Sequence, residues 1–251
     1  MRAGPFATSV VGLAVAIGCG PKEAPEEITR TAVERGKEVF ASPAFVKTSK
    51  NAYACATCHE AERGSGGDTI FPGAPLAGAT KRTSFWAGAE VEFVDAVSQC
   101  AYWFMLKDGP VDPADADARA LWAYLDSLPA GDADVAPQPF TVAYAVADVP
   151  RGDATRGEPL YRRACSKCHG AKGTGVGKLV PRASTLPDQT IADHPSDKYS
   201  AQDVRLVFVE KVRHGGFVGY GGQMPPLARE RLSDQDLGDV LDYLGVVGGA
   251  P

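Results

Sequence analysis

The sequence predicts an all-α protein of two tandem domains, and three observations carry that prediction. One order of features occurs twice along the 251 residues: a helix with a Gly and an aromatic four residues apart, a Cys-x-x-Cys-His run, long loops, then a final helix. Both final helices show one apolar face, with Leu237, Val240, Leu241 and Leu244 at helical spacing in the second copy and Leu121, Leu125 and Leu128 in the first. No stretch alternates apolar and polar residues as a half-buried strand does. Gly (28) and Pro (19) are abundant enough to require extensive loops.

The N-terminus reads as an export signal. Arg2 precedes an apolar stretch from Phe6 to Gly18, too short for a transmembrane span and right for a secretory h-region. It ends in Ala16-Ile17-Gly18-Cys19. Small residues before a Cys resemble a bacterial lipobox, whose Cys is acylated and becomes the first mature residue. Residues 1–18 are then a lipoprotein signal, Cys19 the lipid site, and 19–29 a tether. Cleavage after Ala16 without lipidation is the rival. The expected location is the periplasmic side of a bacterial membrane, lipid-anchored, or the soluble periplasm.

The first domain spans 30–128, with Gly36 and Phe40, Cys55-Ala56-Thr57-Cys58-His59, a helix from Val91 to Met105, and Leu121 to Leu125. The segment 129–150 has four prolines and neither Cys nor His; it reads as a linker, in which Phe140 to Val146 could run extended. The second domain spans 151–251, with Gly157 and Tyr161, Cys165-Ser166-Lys167-Cys168-His169, a helix over Val204–Arg213, and a last helix whose Ser233 N-cap is followed by Asp236 at N3. Lys and Arg number 26 against 31 Asp and Glu, which excludes the strongly basic footprint of a general nucleic-acid binder.

Two thiols three residues apart on one helical turn can form thioether bonds with both vinyl groups of a haem, and the following His lies beneath the iron. Cys-x-x-Cys-His is the attachment signature of c-type haem. A zinc site would need two more ligands at close spacing, and a dithiol redox pair a βαβ context that is absent. The expected cofactors are two covalently bound haem c groups, held by Cys55 and Cys58 with His59 as iron ligand, and by Cys165 and Cys168 with His169. Such attachment occurs outside the cytoplasm, as the export signal requires.

On these residues the chain resembles the class I cytochrome c family over nearly all of 30–245. The resemblance implies that Gly36 and Phe40 pack against Tyr124, and Gly157 and Tyr161 against Tyr243. It also implies that a Pro carbonyl about a dozen residues after the His accepts from the imidazole: Pro181 in the second domain, Pro72 or Pro75 in the first. Gly222-Gln223-Met224-Pro225-Pro226 resembles the family's distal loop and makes Met224 the second iron ligand, with His214 as rival; His194 reads as a surface residue. The first domain has no Met-Pro, and its distal ligand is Cys100 or Met105. Ser98 to Met105 resembles the distal Cys segment of SoxA and thiosulfate dehydrogenase cytochromes, with Trp103-Phe104 where those have Arg-Ser.

Two functions follow from the resemblance. The first is an electron carrier between redox proteins, tethered to a membrane surface or part of a membrane redox complex. The alternative is a dihaem oxidoreductase of the thiosulfate dehydrogenase type, joining two thiosulfates into tetrathionate with loss of two electrons. That chemistry needs a basic pocket near the first haem, to which Lys81, Arg82 and Lys107 are the candidate contributors.

Overall fold

The structure, a computed structural model, describes residues 25–141, 143–216 and 222–248. The export signal and Cys19 lie outside the described residues. The described residues contain helices and no strand; an isolated bridge pairs Phe85 with Glu90. No helix among them is long and apolar enough to cross a membrane.

Each half is organised by one helix crossing. In the first, α1 (Pro25–Ala41) packs on α4 (Ala116–Ser127). In the second, α6 (Ala154–Ala164) packs on α10 (Asp234–Leu244). Glycine makes both crossings possible. A Cβ on Gly36 would lie 2.0 Å from the Ala120 carbonyl oxygen, and one on Gly157 would lie 1.9 Å from that of Asp239. One turn beyond each glycine the expected aromatics meet: Phe40 and Tyr124 with ring centroids 5.6 Å apart, Tyr161 and Tyr243 also at 5.6 Å. The final helices begin on side-chain caps, Asp115 receiving the Asp117 amide and Ser233 that of Asp236. Such caps satisfy amide groups that the first helical turn leaves unpaired. The leucines of the predicted faces, Leu121, Leu125, Leu237, Leu241 and Leu244, are buried.

Between the crossings lie α2 (Cys55–Cys58), α3 (Phe93–Trp103), α5 (Asp132–Val135), α7 (Ser166–His169), α8 (Asp188–Ala192) and α9 (Ala201–His214). Three expectations need correction. The tether expected over 19–29 is already helical from Pro25, since a proline ring suits the backbone of a first helical turn. The helix expected from Val91 to Met105 stops at Trp103; Met105 lies past its end, before Leu106 with φ 57°. The 129–150 segment is no bare linker. It forms α5, and Arg82 Nε donates to the Asp134 carbonyl. Its far end is held by Arg205, wholly buried, which donates to Asp148 and to the Val149 and Pro150 carbonyls. Phe140 packs edge-on to Trp86, and no strand forms there among the described residues.

The halves touch. The Ile70 amide donates to the Arg163 carbonyl at 3.1 Å, Gln223 Nε2 to that of Phe104 at 2.9 Å, and Val180 belongs to the first half's core.

Candidate functional site

Two cavities flank the two Cys-x-x-Cys-His runs. The first is lined by Cys55, Cys58, His59 and Cys100, with a largely apolar wall that includes Phe93 and Phe104; its volume is about 180 Å³. The second is lined by Cys165, Cys168, His169 and Met224, with Leu241 and Leu244 of α10 behind them; its volume is about 590 Å³. Cys58, Pro72 and Pro225 line both, so the two cavities share a wall.

Each proximal imidazole is held by the same device. His59 Nδ1 donates to the Ala74 carbonyl at 2.7 Å, and His169 Nδ1 to the Ser184 carbonyl at 2.8 Å. The acceptors are therefore not Pro181, Pro72 or Pro75 but a residue fifteen positions after the His in both halves. The shared interval was present in the sequence, but a carbonyl belongs to every residue and carries no signal there. With Nδ1 protonated and engaged, Nε2 keeps its lone pair, which is the form a metal requires. Burial pushes His59 down to about 4 and lowers His169, so both rings stay neutral at working pH. Gly73 lies flat against the first ring: a Cβ there would come within 2.1 Å of His59 Cε1.

Burial also raises the thiols, Cys55 to about 11 and Cys165 to about 12, with Cys58 and Cys168 raised as well. These are protonated thiols in apolar surroundings, with no zinc-like cluster beside them: no group of three or more His, Cys, Asp or Glu that could hold a metal exists among the described residues. Two buried thiols, a neutral imidazole with a free Nε2 and an apolar cavity form the donor set a covalently attached haem needs. The second cavity has the volume of a ligand pocket, about 300–1,000 Å³. The first is narrower, and there the chemistry of the donors carries the fit.

The distal candidates separate. Cys100 lines the first cavity, while Met105 is 4% exposed in the core and is not among the lining residues. Burial pushes the Cys100 thiol up to about 12, so it ionises only against a nearby cation. In the second half Met224 lines the cavity and His214 does not; its Nε2 is committed to the Ala143 carbonyl. His194 is half-buried and donates from Nδ1 to the Thr190 carbonyl, one turn back. Of the expected basic contributors only Arg82 lines the first cavity. Lys81 pairs with Asp126, and Lys107 donates to the Asp108 carbonyl. Sequence reasoning missed Arg231, Pro225 and Pro226 of the second half and Gln138, Pro139 and Phe140 of the linker, all lining the first cavity. No pattern within residues 30–128 could have found them.

The helix crossing, the Cys-x-x-Cys-His run and the held imidazole coincide in residues 152–244 with a match to the family model described as cytochrome c oxidase, cbb3-type, subunit III. That match covers about a third of the chain. A cytochrome c domain of that kind implies covalently bound haem c. A single family-model domain is found in the chain. No curated protein matches the sequence. Among solved structures, the chain is similar to thiosulfate dehydrogenase (TsdBA) from Marichromatium purpuratum, in its as-isolated form. The identity is 19%, the coverage 89% of this chain and 46% of the other, and the TM-score 0.41. This chain thus spans less than half the length of that one.

Proposed function

We propose that the chain is an exported dihaem cytochrome c that carries electrons between redox partners, held by lipid on Cys19 at the periplasmic face of a bacterial membrane or within a membrane redox complex. The observation that carries the reading is the shared wall: Cys58, Pro72 and Pro225 line both cavities, so groups attached to the two Cys-x-x-Cys-His runs are neighbours. Bound haem supplies one-electron exchange at iron. Cys55 and Cys58 fix the first group and Cys165 and Cys168 the second, while His59 and His169 present a neutral Nε2.

Cys100 is the proposed distal ligand of the first site and Met224 that of the second, because each lines its cavity and Met105 does not. A thiolate from Cys100 adds negative charge and stabilises ferric iron; the soft thioether of Met224 favours ferrous iron. Electrons then run from the first half towards the second. The oxidoreductase alternative is less supported, because Lys81 and Lys107 do not line the cavity and Trp103-Phe104 stands where an Arg is expected.

Denaturing mass spectrometry of the whole protein should retain two haem masses; one retained haem would sink the dihaem reading. In a redox titration Cys100→Ala should move the low-potential wave and leave the high one, and Met105→Leu should move neither. Movement with Met105→Leu alone would make Met105 the ligand. Cys19→Ser should shift the protein from the membrane to the soluble fraction; a protein soluble in both forms carries no lipid tether.

A further inference from the structure

Two guanidinium groups line the first cavity, and the first half supplies only one. Arg82 is 7% exposed and rigidly held: Nε donates to the Asp134 carbonyl at 2.8 Å, and Nη2 to those of Pro75 at 2.7 Å and Ala77 at 3.0 Å. Its Nη1 has no acceptor among the described residues. Arg231, two residues before the N-cap of α10, is half-buried, and its side chain makes no hydrogen bond or ion pair among the described residues. Arg231 is close enough to disfavour the charge on Arg82, and both disfavour a proton on His59. Glu60 and Glu230 favour the charge on Arg231, and Asp134 that on Arg82, but the carboxylates' own hydrogen bonds go to other groups. Asp134 pairs with Arg63, Glu230 accepts from Thr141, and Glu60 accepts from the Gly64 and Gly66 amides. Among the described residues no carboxylate hydrogen-bonds either guanidinium, so two like charges at one largely apolar cavity favour an anion bound there.

We propose that Arg82 and Arg231 receive the carboxylates of the haem held by Cys55, Cys58 and His59, so that the second half completes the first half's site. This rests on the dihaem reading above. Haem c carries two propionate carboxylates, and guanidinium is the side chain best matched to a carboxylate. Pro225 and Pro226 line the same cavity, so Arg231 arrives as part of a wall and not as a lone surface side chain.

The test uses the full chain with Arg231→Gln and Arg231→Lys, and a redox titration in which the first-haem wave is identified by its loss in a Cys55→Ser/Cys58→Ser variant. Removing a positive charge beside the haem favours the ferric form, so Arg231→Gln should move the first wave to lower potential. It should also make that wave fall with rising pH across about pH 5–8, because a carboxylate in an apolar site without its cation titrates higher than usual. Arg231→Lys should restore most of the potential, and the second wave should stay in place. An unmoved first wave with Arg231→Gln, or a larger shift of the second wave, overturns the proposal. So does a sulfate-dependent shift of the first wave that vanishes in Arg231→Gln, which would mean that the arginines hold a free oxyanion. A single haem by mass spectrometry overturns the dihaem reading itself, and this inference with it.

Discussion

The two halves share a helix crossing and differ in almost everything strung between. Gly36 and Gly157 sit at the same place in the same crossing, each preceded by an Arg that reaches the partner helix: Arg35 to Asp117 at 2.9 Å, Arg156 to Asp239 at 2.8 Å. From the glycine to the first Cys of the Cys-x-x-Cys-His run, however, the first half takes 19 residues and the second 8. The extra residues form the turn Pro43–Val46 and the stretch led by Asn51, whose amide donates to the Pro43 and Tyr53 carbonyls. They deliver Tyr53, 3% exposed, into the second cavity, which Cys168 also lines. The second half has no such insertion and answers with Pro225, Pro226 and Arg231 on the first cavity. A duplicated frame has become one unit because the unequal parts reach across, while the equal parts keep each half folded.

If the crossings are equivalent, filling them should cost the same. Gly36→Ala and Gly157→Ala each push a Cβ to about 2 Å from a backbone carbonyl. Backbone cannot rotate away, which puts both at the upper end of overpacking penalties, about 3 kcal/mol. Thermal unfolding of the two variants should show comparable losses; tolerance of one alone would mean that the crossings are not equivalent.

The ion pairs beside the glycines should break the symmetry. The Asp239 side chain is 2% exposed and also accepts from the Asp153 amide and from Gln235, whereas Asp117 is 25% exposed. Asp239→Ala removes charge-assisted hydrogen bonds worth about 2 kcal/mol. Asp117→Ala should lose about 0.5 kcal/mol, as exposed pairs do. Equal losses in denaturant titrations would contradict the burial difference.

A smaller effect lies in the pH dependence. The hydrogen bond from Arg156 holds the Asp239 carboxyl below its ordinary value. A depressed carboxyl contributes stability above its unfolded pKa of about 3.9 and loses that contribution as pH falls through the folded value. The stability gap between wild type and Asp239→Ala should therefore be full at neutral pH and narrow below about pH 4. A gap that holds its size in acid would mean that Asp239 acts through packing alone.

The chain order determined a good deal without coordinates. Helical spacing of leucines set the faces of α4 and α10, Ser233 with Asp236 set the start of α10, and the doubled Cys-x-x-Cys-His marked the two runs that line the cavities. Each is a local rule, in which residues within a few positions dictate one another's geometry. The crossings were legible for a related reason: only glycine lets two helix backbones approach so closely, and the aromatic one turn on marks the direction. Tertiary structure decided what local rules leave open. Cys100 and Met105 flank the same apolar stripe, but α3 ends at Trp103, and of the two only Cys100 lines the first cavity. The imidazole acceptors, Ala74 and Ser184, are backbone carbonyls that no residue type announces. Arg231 stands 172 positions after His59 in the chain and lines the same cavity. Such a contact depends on how the two halves dock, and docking is a property of whole surfaces that no short spacing encodes.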